Sequence, residues 1–232
     1  MTSLVINVVV EGPSERAFIN SVVAPMLGSQ GIYINASVVG RSGHKGGNIK
    51  FDRMFTDIRN YLKQQNTTLV TTMIDYFRLD PDWPGMAEIS KREAGGEKVE
   101  LATKLDILQT ATTKKLKEKL PDVKHLEKRF IPYIQMHEFE ALLFSSPSIL
   151  ANKIEITEEK LQSIIRKYET PEHINTNPEY APSKLITRLC TNYSYKKRRH
   201  GLMISQEIGL SLIRQKCKLF NNWLNSFTEV KF

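Results

Sequence analysis

Acidic residues stand in this chain where a carboxylate can do chemistry. Glu11 follows directly on Leu4–Val10, apolar at every position but Asn7, and Asp75 follows on a second largely apolar run at 69–74, in which Thr71 and Thr72 are the exceptions. Glu138 and Glu140 come just after a third, at 130–135, and Glu15 lies one helical turn beyond Glu11. Carboxylates at neighbouring strand ends of one parallel sheet can converge within a few ångströms, at the edge where such sheets gather ligands. Like charges that close repel, so the cluster calls for a cation, and oxygen donors suit a hard ion, Mg2+ or Mn2+. An ion held by a few carboxylates keeps several waters and leaves room for phosphate oxygens. It can lower the pKa of a bound water and offset charge in phosphoryl transfer. The spacing predicts a metal-dependent site in which Glu11 and Asp75 bind the principal ion with help from Glu15 or Glu138.

Each candidate also has a plainer role. A single strand-end acid can be a cap or a surface charge, and Glu15 can be a first-turn acid that favours a helix dipole. Glu138 and Glu140 share a face if their stretch is extended and diverge if it is helical; Glu138 is expected nearer the metal. His137 is either a proton shuttle or phosphate contact, or a core-facing histidine. Lys184 can meet a phosphate, or Ser183 beside it can simply cap a helix. The run Lys196-Lys197-Arg198-Arg199-His200 is either a solvated face or a hold on nucleic-acid backbone. Arg41 and Lys45 belong to a glycine-rich loop, 40–48, whose backbone N–H groups could cradle a phosphate, but the loop lacks the G-x-x-x-x-G-K-[ST] pattern of an ATP site.

The elements that must position these residues read as α/β. Valine- and isoleucine-rich Leu4–Val10 suits a parallel strand buried on both faces, and 69–74 reads as another buried strand. Strands are also expected at 33–39 and 130–135, and helices at 16–26, 51–64 and, with a possible break, 98–120. The stretch 77–96 carries prolines and glycines and reads as an exposed loop. A short helix is expected at 141–144, a helix at 158–168, a polar loop at 170–182, and helices at 183–189, 201–208 and 210–224. This divides the chain into an α/β catalytic part, 1–145, and a helical extension packed on it, 146–232.

With 232 residues the chain can bury a sizeable core. No apolar run approaches the roughly 20 residues of a membrane helix, and the start reads as a strand, not a signal peptide. Cys190 and Cys217 have no metal-like spacing and read as reduced core thiols of a cytoplasmic protein. A net charge of +8 favours a polyanionic partner.

The motifs Val10-Glu11-Gly12-Pro13-Ser14-Glu15, Thr71-Thr72-Met73-Ile74-Asp75-Tyr76-Phe77 and 131–144, followed by Ala181-Pro182-Ser183-Lys184, His200-Gly201, Ile208-Gly209-Leu210, Ile213-Arg214 and Cys217, span nearly the whole chain. Together they resemble the bacterial domain-of-unknown-function family 4276. That resemblance implies a TOPRIM-like fold, a parallel sheet flanked by helices, similar to the nuclease domains of OLD (overcoming lysogenization defect) proteins, topoisomerases and primases. TOPRIM domains place a glutamate after the first strand, matched here by Glu11, and an Asp-x-Asp after a later one. Asp75-Tyr76-Phe77 keeps only the first aspartate, and Glu138 or Glu140 could supply the absent ligand. The resemblance also implies anti-phage defence and an AAA or ABC-type ATPase encoded alongside. The expected function is a Mg2+-dependent nuclease acting on DNA or RNA. The alternatives are a catalytically degenerate, nucleic-acid-binding or regulatory subunit of an ATPase complex, and a nucleotidyl transfer or primase-like activity. A homo-oligomer is left open.

Overall fold

The computed structural model describes residues 4–40, 49–64, 68–174 and 177–229. Arg41 and Lys45, with the rest of the glycine-rich loop, lie outside the described residues.

Strand β1, Leu4–Val10, runs parallel to β2, Ile32–Val38, on one side and to β3, Leu69–Asp75, on the other. On the far side of β3 come two short parallel pieces, β4, Phe130–Ile131, and β5, Ile134–Gln135. Every residue of β3 is buried, as a central parallel strand with both faces covered requires. The register aligns the carboxyl ends. Val10 pairs with Met73, and Asp75 pairs with Gln135. Glu11, Asp75 and Glu138 therefore leave the sheet along one edge.

The fourth strand is split where a single one, 130–135, was expected. Pro132 has no N–H to give to the ladder. Threonine side chains of β3 take over: Thr71 Oγ1 donates to the Ile131 carbonyl, Thr72 Oγ1 donates to the Tyr133 carbonyl at 2.9 Å, and the Tyr133 N–H donates back to Thr72 Oγ1 at 2.8 Å.

The helix expected at 16–26 is three pieces: α1, Pro13–Phe18, a π-helical segment, Ile19–Val23, and α2, Ala24–Gly28. Pro25 lacks the N–H that an α-helix would direct at the carbonyl of residue 21, and a widened turn before it accommodates the ring. Helix α3, Phe51–Leu62, buries Phe51, Met54, Ile58 and Leu62, one stripe at helical spacing. The expected loop at 77–96 contains a helix, α4, Met86–Ala94, which buries only Ile89. So narrow an apolar stripe gives periodicity nothing to detect. The helix rests on a Glu88–Arg92 ion pair at 2.6 Å and on Lys91 and Arg92 in its last turn. Helix α5, Leu101–Lys119, is unbroken.

After α6, Leu126–Arg129, the chain enters β4 and β5 and then a 3-10 helix, Phe139–Ser145. The helices α7, Pro147–Lys153, α8, Glu158–Ile165, α9, Pro182–Leu189, and α10, Lys197–Ile208, follow. The last expected helix, 210–224, is two, α11, Leu210–Lys216, and α12, Lys218–Glu229. Buried Glu172 explains the break, because its carboxylate accepts from the N–H groups of Leu219 and Phe220 at 3.0 and 2.9 Å. Those are first-turn donors of α12, which an uninterrupted helix would have used internally. The two predicted parts of the chain share one hydrophobic core, with Ile6 and Val8 in the same cluster as Phe220 and Phe227.

Arg129 is only 2% exposed. Its guanidinium donates to the Leu62 carbonyl at 2.6 Å and the Thr68 carbonyl at 3.3 Å, tying the end of α3 to the start of β3. Arg129→Met is expected to leave both carbonyls buried without that donor and to destabilise the protein by about 2–4 kcal/mol. Urea unfolding reads this directly; an unchanged midpoint would mean that the clamp contributes nothing.

Candidate metal centre

The site lies where β1, β3 and β5 end. Asp75 is the last residue of β3 and is 4% exposed. Its Oδ1 accepts from the Phe139 N–H at 2.8 Å, which fixes the carboxylate against the start of the 3-10 helix. Glu138 is extended and precedes that helix, and Glu140 lies in its first turn. The change from extended to 3-10 backbone lets both side chains reach Asp75, a third case beside the two considered from sequence. One carboxylate oxygen from each of Asp75, Glu138 and Glu140 lies within 4.8 Å of the others.

Glu11 and Glu15 border the same space. Glu11 Oε2 accepts from the Asp75 N–H at 3.4 Å, and Glu11 Oε1 lies 3.3 Å from Arg78 Nε. Glu15 is buried in α1. A methyl group on residue 12 would stand 3.0 Å from Glu15 Oε2, so glycine there leaves the carboxylate its room. Arg78 was not anticipated. Its signal in the sequence is a basic residue three positions after a strand-end acid.

The sequence run 196–200 divides. Lys197, at the start of α10, extends its ammonium to 3.6 Å from Glu138 and 3.5 Å from Glu140. Helix α10 packs against α1 and the 3-10 helix, which brings Lys197 to the acids. His200 Nδ1 accepts from the Lys196 N–H at 2.8 Å, and the ring stands edge-on to Tyr193. Lys196, Arg198 and Arg199 are exposed. Lys184 is exposed as well, with its Nζ 3.7 Å from Glu179, outside the acidic cluster. His137 is 1% exposed and stacks on Phe77 at 4.9 Å between ring centroids. Its location is thus a buried one, against the ring two positions after Asp75.

The electrostatics follow from crowding acids in a dry place. Burial, then the carboxylates of Glu15, Glu11, Glu140 and Glu138, raise the Asp75 carboxyl well above its usual range. Burial, then Glu15, pushes Glu11 up to about 7 against the pull of Arg78. Burial also raises Glu15, and pushes Glu140 up to about 7 against the pull of Lys197. Burial would lower the Lys197 ammonium, but Glu140, Glu138, Asp75 and Glu15 together raise it.

The donor set fits a divalent cation. All three converging ligands are hard oxygens, the donor type that Mg2+ and Mn2+ take. Glu140 Oε1 is buried with no hydrogen bond, its one ion pair being with the Lys197 ammonium at 3.5 Å, and the Tyr195 hydroxyl is buried without a hydrogen-bond partner, near Gly201, where an added methyl group would come within 3.3 Å of it. The Glu140 and Glu138 carboxylates raise the Tyr195 phenol further, after burial, which brings it into the same neighbourhood. A buried hydroxyl without a partner beside these acids fits a site with room for a further ligand.

No curated protein and no solved structure matches the chain. The family model described as Domain of unknown function (DUF4276) matches residues 10–228, a span that includes every acid of the site.

Proposed function

The chain belongs to the DUF4276 family, and from its acidic centre we propose a Mg2+- or Mn2+-dependent nuclease that hydrolyses phosphodiesters of DNA or RNA. The observation that carries this reading is the convergence of Asp75, Glu138 and Glu140 at the carboxyl edge of a parallel sheet. The net charge of +8 suits a polyanionic substrate. The resemblance to TOPRIM-like nuclease domains supports the same reading, and extends it to an effector of anti-phage defence working in the cytoplasm beside an AAA or ABC-type ATPase.

When bound, the ion would supply a water of lowered pKa and an electrophile for a phosphate oxygen. Asp75, Glu138 and Glu140 would hold it. Glu11 and Glu15 would add negative charge favouring a bound cation, and Arg78 orients Glu11. Lys197 offers the ammonium best located to offset charge on the phosphate, once its present carboxylate partners turn to the ion.

One observation favours a second reading. Lys197 already neutralises part of the acidic cluster, and Phe77 stands where a second aspartate belongs. A degenerate subunit, in which the ammonium permanently replaces the ion, would bind nucleic acid without cutting it. Plasmid DNA and total RNA incubated with Mg2+, Mn2+ or EDTA separate the two. The nuclease reading expects metal-dependent cleavage that Glu11→Gln reduces strongly. Intact substrate under every metal, with and without the ATPase, would leave the degenerate subunit standing.

A further inference from the structure

Beside the acidic centre runs an open groove of ≈ 460 Å³ lined by Glu179, Ser183, Lys184, Thr187, Arg188 and Lys197. Lys197 joins the two, since the same ammonium lies against Glu138 and Glu140. The Ser183 N–H donates to Glu138 Oε2 at 2.9 Å, so the first turn of α9 is fastened to the acids as well. Tyr180, next in the chain to groove-lining Glu179, is 52% exposed. The Arg188 guanidinium lies over its ring, 4.7 Å from the centroid. Two carbonyls hold that guanidinium, Lys184 O from Nε at 3.4 Å and Glu179 O from a terminal nitrogen at 3.3 Å. One ring face is thus backed by a fixed cation, and half of the residue's surface is open.

We propose that this groove is the track of a single-stranded nucleic acid, with an unpaired base laid on Tyr180 and the adjoining phosphates passing Lys184 and Lys197 toward the acidic centre. The proposal rests on the reading of that centre as one that acts on phosphodiesters. The exposed Tyr180 ring favours a single strand. A duplex keeps its base faces stacked on one another and can use only the lysines, whereas an unpaired base has a free face to offer. Arginine behind the ring strengthens such a platform. Among the described residues Glu179 is the one groove-lining acid, and Lys184 stands against it at 3.7 Å. A phosphate competes with that carboxylate for the Lys184 ammonium.

The test is fluorescence anisotropy in EDTA, where no cleavage intervenes, with a labelled oligothymidylate, a labelled oligouridylate and a labelled duplex of matched length. The expected result is that either single strand binds at least about tenfold more tightly than the duplex. Tyr180→Ala should weaken the single strands by about tenfold, the scale of one base stacked on an aromatic ring, and leave the duplex unchanged. Tyr180→Trp keeps a platform and should keep the affinity, which separates a lost ring from a damaged fold. Glu179→Gln should tighten binding of every probe. Equal affinity for single strand and duplex, or a Tyr180→Ala variant that binds both as wild type does, overturns the proposal. So does failure of the wild type to bind any probe. The nuclease reading stands or falls separately, on cleavage in the presence of metal.

Discussion

Asp75→Asn is expected to reduce metal-dependent cleavage by roughly a thousandfold, the equivalent of about 4 kcal/mol of transition-state stabilisation, and to raise the melting temperature of the metal-free protein. The two effects have one cause. Asp75 is buried among Glu11, Glu15, Glu138 and Glu140, so its negative charge is unfavourable unless a cation sits among the acids. Asparagine removes the charge and keeps an oxygen to accept from the Phe139 N–H. Its amide nitrogen can donate to a neighbouring carboxylate. In a chain of this length each kcal/mol gained shifts the melting temperature upward by about 2–4 °C. Loss of cleavage together with a clear fall in melting temperature would show that Asp75 holds the 3-10 helix and that its charge is incidental.

The second large effect is on pH dependence. Glu11 and Glu140 are each pushed from the ordinary 4.5 up to about 7 by burial, and burial lifts Glu172 as far, against its two backbone N–H bonds. Asp75 and Glu15 are raised as well. Between pH 4.5 and 7 the folded protein holds protons that the unfolded chain has already released. Unfolding then releases protons, so stability is greatest at the acidic end of this window and falls as pH rises through it. A carboxyl displaced across that range withdraws about 3 kcal/mol. The metal-free protein should therefore melt at progressively lower temperature from pH 5 to about pH 7.5, the reverse of ordinary acid denaturation. Mn2+ should restore the loss at the upper end, since it binds the deprotonated acids. A melting temperature that rises over the same interval would mean that the carboxylates are ionised and paired throughout.

What the sequence made legible was whatever had a local cause. Leu4–Val10 is seen in full because a parallel strand buried from Ile6 onward is apolar at all but one position, Asn7. The acids at its end and at the end of β3 are legible for the same reason: the run stops and the charge begins. Elements with distant causes were not legible. The break before α12 is imposed by Glu172, 47 residues earlier than Leu219. The division of the fourth strand depends on Thr72 reaching across to Tyr133. Within the site, Glu140 could not be ranked beside Glu138, because their convergence needs a change from extended to 3-10 backbone between them. Lys197 was one cation in a run of four, and only the packing of α10 against α1 and the 3-10 helix distinguishes it from its neighbours.

The central claim is that Asp75, Glu138 and Glu140 form a divalent cation site, and calorimetric titration of Mn2+ into EDTA-treated protein near pH 6.5 tests it most directly. The expected result is saturable binding in the wild type with release of protons, because carboxyls raised into this range must give them up to bind the ion, and loss of that binding in Asp75→Asn. Absence of saturable binding in the wild type, or binding that Asp75→Asn leaves unchanged, would contradict it.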